Sequence, residues 1–295
     1  MKCDLHVHSV HSGMCTVPVL KRICRECYND PREVYSRLKQ KGMDLVTLTD
    51  HDSIGGAEPL RGYADFFLSE EVTCRMPSGT TVHIGIFDIN ERQHFEIQRR
   101  RDDFVCLLSY LAEQRLFFSV NHIFSSLTGR RTLEDFAWIE ACAPALETHS
   151  GEMPAFHNRQ AERLARRLGK AGLGGSDSHV LPSLGAVYTE VPGARTKEEF
   201  LAGLLANQGR TRGTHGGYFR ITRDVLCITA KMFQERPWTL LFSPLAMLVP
   251  LVTFATFVDE ALFARRWSAR VNGSQKPDTE SMGPTSRPAE VCAWP

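Results

Sequence analysis

Up to Gly217 the chain alternates short apolar runs with stretches of helical period. Lys2–Val7 reads as a strand. Asp30 and Pro31 then supply an N-cap and a first helical residue, Val34 and Leu38 lie on one face, and Gly42 ends the helix. Asp44–Thr49 is β-rich, and Ala64–Ser69 and Thr80–Phe87 are further predicted strands. Glu91–Leu116 reads as one long amphipathic helix, with Phe95, Ile97, Phe104, Leu107, Leu108 and Leu111 inward and Arg99–Arg101 outward. Strands at Phe117–Asn121, Ala145–Thr148, Leu173–Ser176 and Ala186–Val191 alternate with helices at Leu133–Cys142, Pro154–Lys170 and Lys197–Asn207. Strand alternating with helix predicts a parallel sheet. No repeat of fixed period and no glycine-rich nucleotide loop interrupts the series.

Beyond Gly217 the pattern changes. Pro237–Val258 carries no charge over 22 residues, with Lys231 and Arg236 before it and Arg265 and Arg266 after it. Trp238 and Trp267 stand near its ends. Its length meets the membrane-span criterion of ~20 residues. Pro244, Pro250 and the following Asp259 and Glu260 argue instead for short apolar helices packed on the preceding domain. Both readings stand, membrane contact being by span or by interfacial lie. From about Asn272 the chain is polar and aperiodic, the pattern of a disordered tail. Three segments follow: 1–217, 218–270 (apolar and helical) and 271–295.

The 295 residues are 42% hydrophobic and 23% charged, with a net charge of +1, so no global field draws in nucleic acid. The start, Met1-Lys2-Cys3-Asp4, has no apolar leader, and the nine cysteines are an odd count in a large chain. We expect reduced thiols and a cytoplasmic, membrane-associable protein. Cys24 and Cys27 form a lone C-x-x-C without a second pair and read as ordinary thiols.

The chemistry lies in where histidines and acids fall. His6 and His8 end the first strand, and i, i+2 spacing in extended chain turns both imidazoles to one side. Asp50-His51-Asp52 follows Leu45–Thr49, and Glu70-Glu71 follows Phe66–Leu68. His83 lies within a strand, His122 follows Phe118–Asn121, Glu147 and His149 follow Pro144–Leu146, and Asp177-Ser178-His179 follows Leu173–Ser176. Six or seven strands thus place imidazole or carboxylate near their carboxyl ends, which in a barrel form one face. That convergence predicts a multinuclear metal centre. Glu71 is favoured over Glu70 by the alternation of Glu71-Val72-Thr73; His94 and His157, on helices, read as solvated or core residues.

The set Asp-Leu-His-Val-His-Ser, Leu-Thr-Asp-His-Asp-Ser, Glu-Val-Thr, Val-His-Ile, Asn-His and Gly-Ser-Asp-Ser-His resembles the PHP superfamily of polymerase and histidinol phosphatase domains, over roughly residues 1–215. The resemblance implies a distorted (β/α)7 TIM-like barrel, here with a C-terminal apolar helical appendage. It also implies two or three divalent metal ions (manganese, zinc or iron) and hydrolysis of phosphate esters. His6, His8, Glu71 and Asp177 then look like ligands of one ion, and His51 and His179 of a second. Glu71, His83 and His122 look like the shell of a third, with Glu71 bridging. Two departures stand out. Many members carry an acid or a histidine shortly after the second histidine, but Ser9–Met14 holds no acid; His11 substitutes, or that ion binds more weakly. The position of His149 is also commonly another residue.

Clustered cations activate water for attack on phosphorus. Asp52, His149 and His179 are the candidates to protonate the leaving group. Arg130, Arg131, Arg210 and Arg212 are the candidates to hold substrate phosphate. The expected partner is a small phosphorylated metabolite or nucleotide. The alternatives are hydrolysis of an amide or carboxylic ester, and a non-catalytic, metal-stabilised module tethered to a membrane.

Overall fold

The structure, a computed structural model, describes residues 1–273. The expected tail therefore lies outside the described residues from Ser274 onward. The elements in chain order are β1 (Lys2–Cys3), α1 (Pro31–Gln40), β2 (Ser69–Arg75), β3 (Thr81–Phe87), α2 (Glu91–Gln98), α3 (Phe104–Glu113), β4 (Phe118–Val120), α4 (Leu133–Cys142), β5 (Ala145–Ser150), α5 (Ala155–Leu168), β6 (Ala171–Gly175), β7 (Val187–Glu190), α6 (Lys197–Leu205), β8 (Arg210–Gly213), α7 (Tyr218–Glu235), α8 (Ser243–Ala246) and α9 (Val249–Gly273).

This is a mixed α/β fold built on two sheets, ordered β2-β3-β4-β5-β6 and β1-β7-β8. The expected wholly parallel sheet is not found. β4, β5 and β6 run parallel, whereas β2, β3 and β4 are antiparallel, as are β1, β7 and β8. The cause is local: Pro77-Ser78-Gly79 folds back, with Gly79 at φ +82° and the Met76 amide on Thr80 O, and so tight a connection joins only antiparallel strands. The strand also begins where the expected run Ala64–Ser69 ends.

Of the two runs expected as strands at Lys2–Val7 and Asp44–Thr49, only Lys2–Cys3 pairs in a ladder, with β7; the remaining residues form none. Buried side chains take the amides a ladder would use. Asp4 Oδ1 accepts from the amides of His6 (3.3 Å) and Ser176 (2.7 Å), Thr49 Oγ1 from Val7 (2.9 Å), and Asp50 Oδ1 from Ser9 (2.6 Å). Isolated bridges remain: Val7 with Ser178, Val46 with Phe66, and His51 with Glu71, all parallel. The pairing among the described residues is thus two sheets joined by single bridges, without a continuous closed ladder.

The helix expected over Glu91–Leu116 is two helices. Asn90 caps α2 with a full capping box, the chain turns over Arg99–Asp103, and Asp103 caps α3 by accepting from the Cys106 amide. The main core lies between the five-stranded sheet and α3, α4 and α5, and includes Ile84, Ile86, Leu107, Phe118 and Leu164.

The C-terminal region folds back on this core. Ala264, Trp267 and Val271 of α9 are buried in it. The amide of Ser126 donates to Glu260 Oε1 (2.9 Å), and Arg167 Nη1 donates to Val271 O (2.7 Å). No single helix among the described residues is long and apolar enough to cross a membrane; Pro237–Ala246 and Val249–Val271 qualify by length and composition only as a pair bent by 65°. α7 lies within the segment 218–270 expected to be helical. Seven described cysteines are free thiols, while Cys142 is disulfide-bonded, against the expectation of thiols throughout.

Candidate metal centre

Glu71 sits at the middle of the site, fully buried. Its Oε2 lies 3.2 Å from His6 Nε2, 3.5 Å from His8 Nε2 and 3.1 Å from His51 Nδ1. Its Oε1 lies 3.4 Å from both His83 Nδ1 and His122 Nε2. Asp177 Oδ1 adds a second carboxylate, 3.3 Å from Nε2 of both His6 and His8. The His179 ring stacks on His8, with centroids 4.2 Å apart. All eight residues expected to ligate metal are thereby brought together.

Three subsets have ligand atoms within 4.8 Å of one another: His6, His8 and Asp177; His8, His51 and His179; and His51, Glu71 and His83. Glu70, the alternative to Glu71, faces elsewhere and accepts from His94 and Gln98, both at 2.8 Å.

The tautomers can be read from the outer contacts. His6 Nδ1 meets Glu147 Oε1 at 2.8 Å, so its proton sits there and the Nε2 lone pair faces the cluster. Ser12 Oγ donates to Asp50 Oδ1 (2.7 Å) and therefore accepts from His8 Nδ1 (3.0 Å), which leaves Nε2 of His8 free. His179 Nδ1 donates to Asp177 O (3.1 Å). His6 Nε2, His8 Nε2, His179 Nε2, His83 Nδ1 and Glu71 Oε2 are buried without a hydrogen-bond partner. Buried lone pairs that converge on one another without protons between them are costly. A set of imidazole nitrogens and carboxylate oxygens turned to common points is what divalent cations of the zinc, manganese and iron class require, so the residues fit such ions.

The electrostatics agree. Burial opposes a charged His6, but Asp177, Glu71 and Glu147 outweigh it and hold the imidazole well above its ordinary range. Burial would raise Glu71, yet His6, His83 and His51 keep it well below the usual carboxylate range. Asp177 is likewise held low against burial by His6 and His8. Burial, then the neighbouring His179, lowers His8 to about 4, and burial holds His51 well below the ordinary range, so these two imidazoles favour the neutral form that a cation binds. Three of the six non-glycine residues with positive φ among the described residues lie at or next to this cluster: His122, Asp52 and Asp177, at +28°, +52° and +53°.

Glu147 is the outer carboxylate with most to do. It orients His6 and also accepts the His122 amide (2.9 Å). Glu147→Ala should weaken metal binding by about 10–100-fold while leaving the fold intact. Unchanged affinity in a competition titration with a chelating dye would refute that role.

Glu26 was not foreseen. Its Oε1 lies 3.7 Å from His51 Nε2 and 4.0 Å from His179 Nε2. Burial raises its carboxyl above the ordinary range, partly offset by His179. It supplies the acid missing from Ser9–Met14, and one signal could have found it: Glu26 is the first carboxylate downstream of His8. His11, offered as the substitute, is exposed, with its ring against Gly55. Cys27 Sγ contacts His8 O (3.3 Å) and Cys24 Sγ contacts Arg25 O (3.3 Å), the contacts of ordinary thiols.

The expected proton donors and phosphate partners are placed differently. Asp52 accepts from the Thr73 amide (2.9 Å) and pairs with Arg101, so both its oxygens are engaged. His149 lies against His215, centroids 4.4 Å apart; burial, then His215 and Arg220, lower it to about 4, and a neutral imidazole is no acid at neutral pH. His179 has its proton on Asp177 O and its free nitrogen toward His51 and Glu26, the disposition of a ligand. Arg131 is buried and donates to Thr81 O (2.8 Å) and to Thr128 Oγ1, bracing the turn before α4. Arg212 is exposed and pairs with Glu190 (3.6 Å) on the β7–β8 edge; Arg130 and Arg210 are exposed. Nothing in these contacts turns the four arginines to the donor cluster.

Comparison with known proteins finds likeness in sequence and in fold. A family profile described as PHP-associated matches residues 155–208. An uncharacterized protein of Methanocaldococcus jannaschii is 32% identical over 92 residues, 31% of this chain and 52% of the relative, so the chain spans about half of that relative's length. Among solved structures, a two-domain protein of Bacteroides vulgatus containing a predicted PHP-like metal-dependent phosphoesterase superposes with a TM-score of 0.56 at 16% identity, over 72% of this chain and 64% of that one. PsfC from Pseudomonas syringae superposes with a TM-score of 0.53 at 16% identity, over 79% of this chain and 98% of its own. Those two likenesses bear on the fold, and the sequence match bears on its later strands and helices. The profile match over residues 155–208 and the shared fold are likenesses to PHP-associated and PHP-like proteins.

Proposed function

We propose that the chain is a metal-dependent phosphoester hydrolase that acts on a small phosphorylated substrate with two or three divalent ions. The observation that carries this reading is the set of buried, unpartnered nitrogens and oxygens around Glu71. We read the single bridges at Val7, Val46 and His51 as the irregular joins of a distorted (β/α)7 barrel, whose carboxyl-end face the donors share.

Divalent cations held there supply Lewis acidity toward water and toward phosphoryl oxygens. The chain's own part is positioning. Glu147 and the Asp50–Ser12 pair fix the tautomers of His6 and His8, so that both nitrogens are ready without rearrangement. Glu71, within 3.5 Å of five imidazoles, would be shared among the ions those imidazoles hold. Glu26 completes the His51–His179 side, and as a partly exposed side chain it stands where substrate arrives.

The test pairs elemental analysis of the purified chain with phosphate release from an aryl phosphate, with and without manganese. Two or more ions per chain and release abolished by a chelator are expected. A metal-loaded chain that cleaves an aryl carboxylic ester but no aryl phosphate would overturn the phosphoester reading. A chain that takes up no metal would overturn the whole of it.

A further inference from the structure

The largest group of exposed apolar side chains among the described residues lies on the C-terminal element. Leu241 is 82% exposed, Met247 83%, Leu251 66% and Phe254 53%, with Trp238 at 53% beside them. Such a patch is well beyond what a monomer leaves in water without use. We propose that this element docks the protein on an anionic lipid bilayer, lying in the interface rather than crossing it.

Three observations choose this occupant. The first is the bend. Pro237–Ala246 and Val249–Val271 meet at 65°, and α9 continues into the core through Ala264, Trp267 and Val271. A helix anchored in the protein by its second half cannot thread a bilayer, but its first half can rest in one. The second is charge. The 22 uncharged residues are bounded by Lys231 and Arg236 on one side and by exposed Arg265 and Arg266 on the other. Of the acids at the boundary, Glu260 is buried and accepts from the Ser126 amide, and Asp259, though exposed, accepts from Ser126 Oγ. Apolar side chains with a basic border suit acyl chains beneath anionic headgroups. A self-complementary dimer would set like charges near one another. The third is what the rest of the chain offers as a cover: Ser274–Pro295 is mostly Ser, Thr, Pro and charged residues.

Docking would also bring the metal centre to the membrane. Arg25 Nε pairs with Glu235 Oε1 (2.8 Å), and Arg236 Nη1 donates to Arg22 O (3.0 Å), so the loop that carries Glu26 is tied to the residues just before Pro237. Val19 of that loop is 83% exposed. The docking itself does not depend on the reaction catalysed.

The test is co-sedimentation of the full chain with phosphatidylcholine vesicles, with and without phosphatidylserine. The wild type should sediment with the serine-containing vesicles, less with phosphatidylcholine alone, and less again at high salt. The exposed double variant L241D/M247D should lose binding by about 100-fold or more. Unchanged metal content and circular dichroism would show that it is folded. A wild type left in the supernatant with both vesicles would overturn the proposal, as would a double variant that binds equally. So would a wild-type dimer that the double variant converts to a vesicle-indifferent monomer, which would make the face a chain-to-chain contact.

Discussion

Glu71→Gln should empty the centre. The substitution keeps the shape of the side chain but removes the charge that faces five imidazoles at 3.1–3.5 Å. It also turns an amide toward nitrogens whose lone pairs a cation needs. Three of the five, His6, His8 and His51, face one oxygen and His83 and His122 the other, so loss of either oxygen disturbs more than one imidazole. Bound metal should fall by at least one ion per chain, and turnover by about 10³-fold, equivalent to about 4 kcal/mol of lost barrier lowering. Elemental analysis with single-turnover rates would show it. Full metal content with turnover within tenfold of wild type would mean that Glu71 fills space and does not ligate.

Asp4→Ala should damage the fold more than any exchange among the ligands. Asp4 Oδ1 accepts from the amides of Ser176 and His6 in a buried setting, and Oδ2 from Gly185 at 2.8 Å in a partly buried one. One side chain thus joins the first strand to the two segments that follow β6. Alanine leaves three amides without these acceptors, two of them buried, and a loss of about 3–5 kcal/mol is expected from chemical denaturation. That is a large share of a domain's usual ~5–15 kcal/mol. Asp4→Asn keeps an acceptor and should fall between the two. If Asp4→Ala unfolds at the denaturant concentration of wild type, the join is not a support.

Much of this was legible because the relevant signals are local. Asp30-Pro31 starts α1, and Thr132 starts α4 with a capping box, each within a few residues of where periodicity placed it. The His-x-His pair and Asp177-x-His179 were legible for the same reason, since spacing in extended chain sets direction. What escaped depended on distance. Glu26 lies in a loop that no period describes, and only the fold brings it to His51. Arg131 looks free in sequence, but burial commits it to Thr81 O. The break at Arg99–Asp103 was hidden because apolar spacing continues across it, and only the cap at Asp103 signals it. The antiparallel hairpin was overlooked in favour of the general rule that alternating elements pair in parallel.

The join between Asp4 and Ser176 spans 172 residues of sequence. During synthesis His6 and His8 emerge early, but Asp177 and His179 follow only after most of the domain has been made. A nascent chain that has not reached Asp177 therefore holds His6, His8, His51, Glu71, His83 and His122 but lacks Asp177 and His179. The complete donor set exists only once the two ends have met, which is a late and slow event when contacts are this remote. Metal acquisition would thereby be deferred to the folded protein, and a chain cut short before Asp177 should bind metal more weakly than the full chain in a competition titration.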